Sequence, residues 1–559
     1  MRAERTTLGQ GNIQVKEVQY MKRTLVFMAF GLLLCGVGLF AAENVVVING
    51  YPVIWADPAV GSDWYDTEVL YNLYDPLVYP TPEGSVRPHL ATSWEAVDGD
   101  LAHWRFYLRQ GVKFHDGSEL TAEDVAFSMT RFITMGKGNS GPLGKVTAEV
   151  VDEYTVDFFL DKPNALFPEL LALFFPVNKE QVLAHIGPGS YGDMGDYGEE
   201  WLSTHDAGTG PYMMVSHTPG QRLEAVRFAD YFLGWDDPFW GPDEVPIERA
   251  IFIMETDYTT LMTLLKRGDL DLELNGGWTL PQMREIQRTE GVRIEYIWGQ
   301  NVTVWMNTQA PPTDCEHFRK AILYAFDYEA LLAPYEPFGY TETGIVPPDM
   351  PGYVPIEPQP RKQDLDRARQ ELALSRYADQ LGQVKVVFHY CGGLAFEEEV
   401  GLQLQADLAK LGIKVEVVGP PWPQYSAECS SPETTPNMTI FLFAPQVAPP
   451  LDYYTFDMYH PEGLGWIFSA HWYFDDQEVL RLLEETRTTV DFERRLEIYK
   501  QLQPMIADHA LALFPYYKPT PFACQAYIAG PKEKIPMVGP SESLYNWRIN
   551  LRLKKELRG

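Results

Sequence analysis

WRFYLRQGVKFHDGSELTAEDVAF, residues 104–127, decides the fold class of this 559-residue chain. Trp104, Phe106 and Leu108 alternate with Arg105, Tyr107 and Arg109, the period-two pattern of a half-buried strand. Gly111 and the cluster His115-Asp116-Gly117-Ser118 supply turn chemistry, with a second short strand expected over 112–114. Thr121 stands three residues before Asp124, a capping-box start to a helix. Strand, turn, short strand, turn and capped helix follow one another here, and no residue in the stretch is placed as a reaction centre would be.

Outward from it, strands and helices keep alternating. Residues 44–50, NVVVING, are a β-branched run read as a buried strand, and 67–74 reads as a helix. The pattern predicts strands over 146–160, a helix over 163–173, a strand over 247–254 and a helix over 257–266 stopped at Gly268. Farther on, 302–307 is a strand and 318–327 a helix with an apolar face of Ile322, Leu323, Ala325 and Phe326. A strand over 384–388, an amphipathic helix over 396–411 and a strand over 412–417 make an α/β unit. Residues 438–443 are strand-like, 477–488 and 491–508 are helices, and 511–517 leads the chain back. The basic tail, 550–559, is expected to fray.

Such a length implies two or three domains, and 45% hydrophobic residues with 13% aromatics describe a folded chain. A net charge of −32 repels phosphate backbones, so no nucleic acid partner is expected. The five cysteines, at 35, 315, 391, 429 and 524, form no CxxC pair; the last four leave two disulfides or free thiols equally open. Lys22 and Arg23, an apolar run over 25–42 and small residues at its end form a secretory signal pattern, with Met21 the expected start. Cleavage is expected rather than a retained anchor. At Cys35 the residue before the thiol is Leu34, where lipidated signals place a small one, so no lipid anchor is expected there.

Segments 74–78 (YDPLV), 88–94 (PHLATSW), 104–127, 208–212 (GTGPY), 268–271 (GDLD), 302–307 (VTVWMN) and 318–327 occur in the order and spacing of one family. Through them the chain resembles the bacterial extracytoplasmic solute-binding proteins of family 5, the peptide/nickel-binding, oligopeptide/dipeptide-binding type that serves ABC importers. The resemblance implies an α/β, two-lobed periplasmic-binding-protein-like fold (type II, cluster C) with an extra small domain inserted in lobe I. It divides the chain into a signal segment 1–42, lobe I over 43–79, an inserted subdomain over 80–206, lobe I again over 207–299, lobe II over 300–519, and a return with tail over 520–559. It implies a monomer outside the cytoplasm that captures a peptide and delivers it to membrane permease and ATPase subunits, with no cofactor and no catalysis. An oligosaccharide is the alternative solute within the family; a secreted hydrolase or a signalling binding module is the alternative from another class.

His115-Asp116 is read as a tight turn rather than an acid–base pair, because Asp-Gly is a turn signal. The GPGSYG match at 187–192 follows a helical run instead of a strand, so it is read as a surface loop and not a nucleotide site. The eleven histidines show no metal spacing, which leaves no metal site expected. Candidate ligand walls are strand ends and aromatic faces: Asn49, Tyr51, Trp278, Trp298, Trp305, Trp422, Asp452, Tyr453, Trp466 and Trp472. In oligopeptide-binding members an aspartate shortly before a proline pairs with the ligand's α-amino group. Here the segment is FAPQVAPPLDYYTFDMYH, Pro445 stands near that place, and Asp452 follows Pro449-Pro450.

Overall fold

The computed structural model describes residues 44–50, 53–61, 64–356, 362–429, 431, 433–443, 450–461 and 475–558, with the side chains of 64, 65, 298, 443 and 450 left out. The expected signal segment and Cys35 lie outside the described residues.

Val45–Asn49 is the buried strand its β-branched run predicts, running parallel to Arg249–Ile253 on one side and Leu272–Glu273 on the other. A second parallel group joins Lys385–His389 to Lys414–Val418 and Met438–Phe443. Between the groups run two unusually long antiparallel strands, Val292–Met306 and Ala512–Gln525, of 15 and 14 residues. They tie both groups into one ten-stranded sheet ordered 414–418, 385–389, 438–443, 292–306, 512–525, 272–273, 45–49, 249–253, 222–227 and 212–218. Strands and helices alternate along each parallel group, as an α/β lobe requires. These are the two lobes, and the long strands cross between them.

The opening stretch builds a separate four-stranded antiparallel sheet, ordered Ala91–Ala96, His103–Leu108, Thr155–Leu160 and Val146–Asp152. Trp104, Phe106 and Leu108 are buried on the face the alternation assigns to them. The short strand expected over 112–114 is a single bridge instead, Lys113 to Glu119, because the loop turns at Gly111 and Gly117 before a ladder can extend. Thr121 and Asp124 complete the capping box of helix Ala122–Met135. The helix expected over 163–173 shortens to Phe167–Leu170 followed by a 3-10 turn, Leu171–Leu173.

The motifs that read most strongly meet in one buried network. Asp75 accepts from the Thr209 hydroxyl at 2.8 Å and the Tyr231 hydroxyl at 2.9 Å, and lies 2.7 Å from His89 Nε2. Gly210 has to be glycine, since a Cβ there would lie 2.4 Å from the Leu73 carbonyl carbon. His115 bridges Asp206 and the Gly210 carbonyl, while Asp116 accepts from Ser118 and Gln181; both are spent on holding turns.

The tail does not fray. Leu551–Arg558 is a helix docked on lobe I, where Lys554 Nζ donates to the Val45 carbonyl at 2.8 Å and Arg558 Nη2 to Asp271 Oδ1 at 2.8 Å. Asp271 also accepts from the Val47 amide at 2.6 Å, so its carboxylate holds the first strand and the last helix together. Cys315, Cys391, Cys429 and Cys524 are all free thiols.

Candidate functional site

In a doubly wound sheet, ligands collect where strands end and helices diverge. The crossing of Val292–Met306 and Ala512–Gln525 puts such ends from both lobes side by side. At its middle, Tyr296 pairs with Pro521 and Gly299 with Pro519, so Ile297 and Trp298 oppose Thr520 alone: a β-bulge that bends the crossing. Tyr517 packs directly over Gly299, where a Cβ would come within 1.9 Å of the ring. Its hydroxyl donates to Asp349 Oδ2 at 2.5 Å. Desolvation raises the Asp349 carboxyl above the ordinary range, against the hydrogen bond from Tyr517.

On the other face of the same strand, Lys518 Nζ lies 5.0 Å from the centre of the Phe396 ring. Burial lowers its ammonium to about 8, against the pull of Glu397. Two residues on, Thr520 is 2% exposed and its hydroxyl has no hydrogen-bond partner among the described residues; the same holds for Oδ1 of Asn275, which is 5% exposed. Thr520 and the Asn275-Gly276 turn are neighbours: a Cβ on Gly276 would lie 2.4 Å from Thr520 Cγ2. Buried polar atoms without partners cost stability, and a site that ligand groups will complete is a standard reason to retain them.

The residues singled out from sequence divide among several places. Asn49 is fully buried and bracketed by Glu255, donating to its carbonyl at 3.2 Å and accepting from its amide at 2.9 Å. Its own carbonyl accepts from Leu274, so it positions the strand ends of lobe I. Trp278, close by, donates Nε1 to Glu273 at 2.5 Å and meets Tyr258 edge-on. Trp298 sits in the bulge, its side chain outside the described residues. Trp305 is buried on the lobe II half of the crossing, edge-on to Tyr459 at 5.5 Å. Trp422 opens helix Trp422–Glu428, is 48% exposed and meets the Tyr425 ring at 6.3 Å. Asp452 and Tyr453 are buried in helix Pro450–Tyr459. Tyr51, Trp466 and Trp472 lie outside the described residues.

Asp452 is answered from within the chain. Arg487 Nη2 is 2.6 Å away, and the Thr486 and Tyr499 hydroxyls donate to it at 3.4 Å. Desolvation still raises its carboxyl, and the neighbouring Asp457 reaches about 7 through burial and the Asp452 charge. This cluster abuts a contact between the halves of the molecule: the Ala165 amide donates to the Arg487 carbonyl at 2.8 Å, and Arg495 pairs with Glu169.

Two further buried carboxyls flank the crossing. Glu273 and Glu397 are each raised to about 8, first by burial, although Asn275 and Cys391 amides donate to them at 2.7 and 2.8 Å. A folded pKa above the ordinary 4.5 means that folding takes up a proton between about 4.5 and about 8. Their favourable contribution is complete below about pH 4.5 and is lost as pH rises toward 8. Chemical denaturation is therefore expected to show lower stability at pH 8 than at pH 5. Glu397→Gln, which keeps an oxygen for the Cys391 amide, should remove part of that slope; an unchanged slope would mean that Glu397 is already ionised at pH 5.

Among the described residues no group of three or more His, Cys, Asp or Glu side chains is placed to hold a metal ion. None of their helices is long and apolar enough to cross a membrane.

Residues 85–466 match the family model described as bacterial extracellular solute-binding proteins, family 5 Middle. Over 488 residues the chain is 24% identical to the Escherichia coli protein named "Probable D,D-dipeptide-binding periplasmic protein", covering 85% of this chain and 88% of that one. It is 27% identical over 481 residues to "Heme-binding protein A" of Haemophilus influenzae, covering 78% and 80%. In fold it is similar to the periplasmic binding protein DppA from Helicobacter pylori, solved in complex with the peptide STSA, with a TM-score of 0.71, 21% identity, and coverage of 90% of this chain and 98% of the other.

Proposed function

The chain belongs to the family 5 bacterial extracellular solute-binding proteins, and from that premise we infer that it is the capture component of an ABC importer. It closes its two lobes on a short peptide outside the cytoplasm and delivers it to a membrane permease and its ATPase. The observation that carries the reading is the family match over 85–466, which spans the inserted sheet, the first of the two crossing strands and much of lobe II. The D,D-dipeptide named for the Escherichia coli relative supports a peptide as the solute. So does the chemistry at the crossing: Asn275 Oδ1 and the Thr520 hydroxyl, without partners among the described residues, suit peptide N–H and C=O groups, and Lys518 suits a negative charge. The family is one of binding proteins.

Closure needs a ligand that contacts the lobes better when they are together. Thermal denaturation of the purified chain with a di- and tripeptide mixture, heme or β-glucan oligosaccharides tests the solute class. A ligand at a hundred times its Kd stabilises by about 2.7 kcal/mol, so the peptide mixture should raise the midpoint visibly. No shift and no calorimetric heat with any peptide, alongside a shift with heme or a glucan, would overturn the peptide reading while leaving the family intact.

A further inference from the structure

Away from the crossing, the contact between the halves gathers more acid than base. On the lobe II side, Asp452 and Asp457 of helix Pro450–Tyr459 share Arg487 of helix Gln477–Thr488, whose Nη2 lies 2.6 Å from the first and 3.1 Å from the second. Helix Phe492–Asp508 adds Arg495 and the Tyr499 hydroxyl, which donates to Asp452 at 3.4 Å. Taken alone this side balances, two carboxylates against two guanidiniums. The other half brings Glu169, in Phe167–Leu170, onto Arg495, and the Ala165 amide beside it donates to the Arg487 carbonyl at 2.8 Å. Among the described residues no third cation pairs with these three carboxylates. His460, just past the first of these helices, faces Glu484 at 3.7 Å. Glu478 and Glu485 pair with Arg481, and Glu485 also with Arg494, all four partly exposed. The nearby phenols of Tyr453 and Tyr499 stay neutral at ordinary pH.

Closing the halves therefore adds a third carboxylate to a buried site that holds two guanidiniums. Net charge shut away from water is costly, and a carboxylate in that position takes a proton instead. We propose that closure takes up a proton at this cluster, so that the protein grips its ligand more tightly as its surroundings turn acidic. This rests on the reading of a capture protein that closes on a peptide, and adds to it a pH dependence carried outside the ligand cleft. Burial raises the Asp452 and Glu169 carboxyls in spite of the two arginines. Burial, with the Asp452 charge adding to it, lifts Asp457 to about 7. A carboxyl whose pKa is higher in the closed form favours closing most at low pH. That contribution shrinks as pH rises and is gone once pH has passed through the closed-form value, about 7 for Asp457.

The test is calorimetry with a tripeptide taken from the mixture above for binding the wild-type chain. Titrations at pH 6 in two buffers of different ionisation enthalpy count the protons exchanged on binding, and titrations at pH 6 and pH 8 give the affinities. The wild type should take up a substantial fraction of a proton at pH 6 and bind about three- to tenfold more tightly there than at pH 8. The peptide's own amine, with Glu273, Glu397 and Lys518 near the crossing, titrates in or beside the same range. The difference between wild type and variant is therefore the quantity to read, because it cancels those groups. Glu169→Gln removes the added carboxylate, and Asp457→Asn makes room for it; each should lose most of the uptake and flatten the dependence on pH. Thermal midpoints of the unliganded variants guard against misfolding. Two folded variants that exchange as many protons as the wild type overturn the proposal and leave the peptide reading standing. A wild type that binds no peptide at either pH overturns both.

Discussion

Arg131→Met is expected to lower the free energy of unfolding by about 3–5 kcal/mol, the cost of leaving one member of a buried ion pair alone. Arg131 is 1% exposed and projects from helix Ala122–Met135 into lobe I. Its Nη1 and Nη2 donate to the two oxygens of Asp57 at 2.7 and 2.5 Å, and its Nε donates to the Tyr197 carbonyl at 2.9 Å. Asp57 is fully buried and has the Ala59 amide as its remaining donor in hand, at 2.9 Å. A bidentate guanidinium–carboxylate pair is both strong and directional, and here it joins the loop after the first strand to the helix that follows the opening stretch. Methionine fills part of the volume and leaves the carboxylate without its counter-charge. Urea denaturation followed by tryptophan fluorescence measures the loss. The double variant Asp57→Leu with Arg131→Met should recover much of it, because two apolar groups ask for no counter-charge. A single variant as stable as wild type would mean that water reaches Asp57.

Arg495→Met is expected to weaken ligand binding about a hundredfold, by way of closure and without touching the ligand. Arg495, in helix Phe492–Asp508, pairs with Glu169 in the short helix Phe167–Leu170, and both are under a tenth exposed. The two lie on opposite halves of the molecule, beside the Ala165–Arg487 hydrogen bond. Parting the halves returns both charges to water, so the pair bears on the closed form alone. Burial already raises the Glu169 carboxyl in spite of Arg495. Without the arginine, closing would desolvate a lone carboxylate at a cost of about 3 kcal/mol, and every 1.4 kcal/mol is tenfold in affinity. Calorimetry with a bound peptide reads the affinity, and small-angle scattering of the unliganded chain reads the spread of the lobes. Glu169→Gln, which retains a hydrogen-bond acceptor, should lose less. Unchanged affinity together with unchanged scattering in Arg495→Met would show that the contact does not follow closure.

The parts of the fold that the sequence makes legible are those with a strict local pattern. Trp104, Phe106 and Leu108 fall on the buried face by alternation, and Thr121 with Asp124 marks the helix start to the residue. Gly268 likewise marks the stop of helix Tyr258–Arg267, while Asp257, read as its first residue, caps it. The return strand is harder. Its expected end at 517 falls short of Gln525 because Pro519 and Pro521 read as breakers. The Tyr517 amide points to Thr341 and the Gln525 amide to Asp271, both away from Val292–Met306. Residues 519 and 521 share that parity, so the donors they lack belong to the side on which no long strand lies, and the ladder survives them. The docked tail escapes notice for another reason: Lys554 and Arg558 look like a solvated basic end until Asp271 and the Val45 carbonyl are brought to them from far along the chain.

The candidate site was less legible than the fold. Aromatic residues advertise themselves, yet most of the described ones are structural: Trp278 is tied to Glu273 and Trp305 lies under Tyr459. The atoms left without partners among the described residues, Asn275 Oδ1 and the Thr520 hydroxyl, belong to ordinary polar residues beside turn and strand signals, and only their burial makes them informative. Lys518 did carry a signal, a single charge in a long uncharged run, which is the pattern of a charge placed for a purpose.

The Lys554–Val45 contact also bears on when the molecule can finish folding. The partners are 509 residues apart, and at cellular rates of synthesis that is a delay of roughly half a minute or more. Throughout that time the first strand lacks the strand Leu272–Glu273 beside it, then the return strand beyond that, and at the last the helix that clasps its end. Lobe I is thus the first part of the chain to be made and the last to be completed. A protein assembled in this order remains unlocked while it is still attached to the ribosome, the condition in which a secretion channel that threads extended chain can accept it. Lobe I therefore reaches its final form only once residue 554 has been made and has met the first strand.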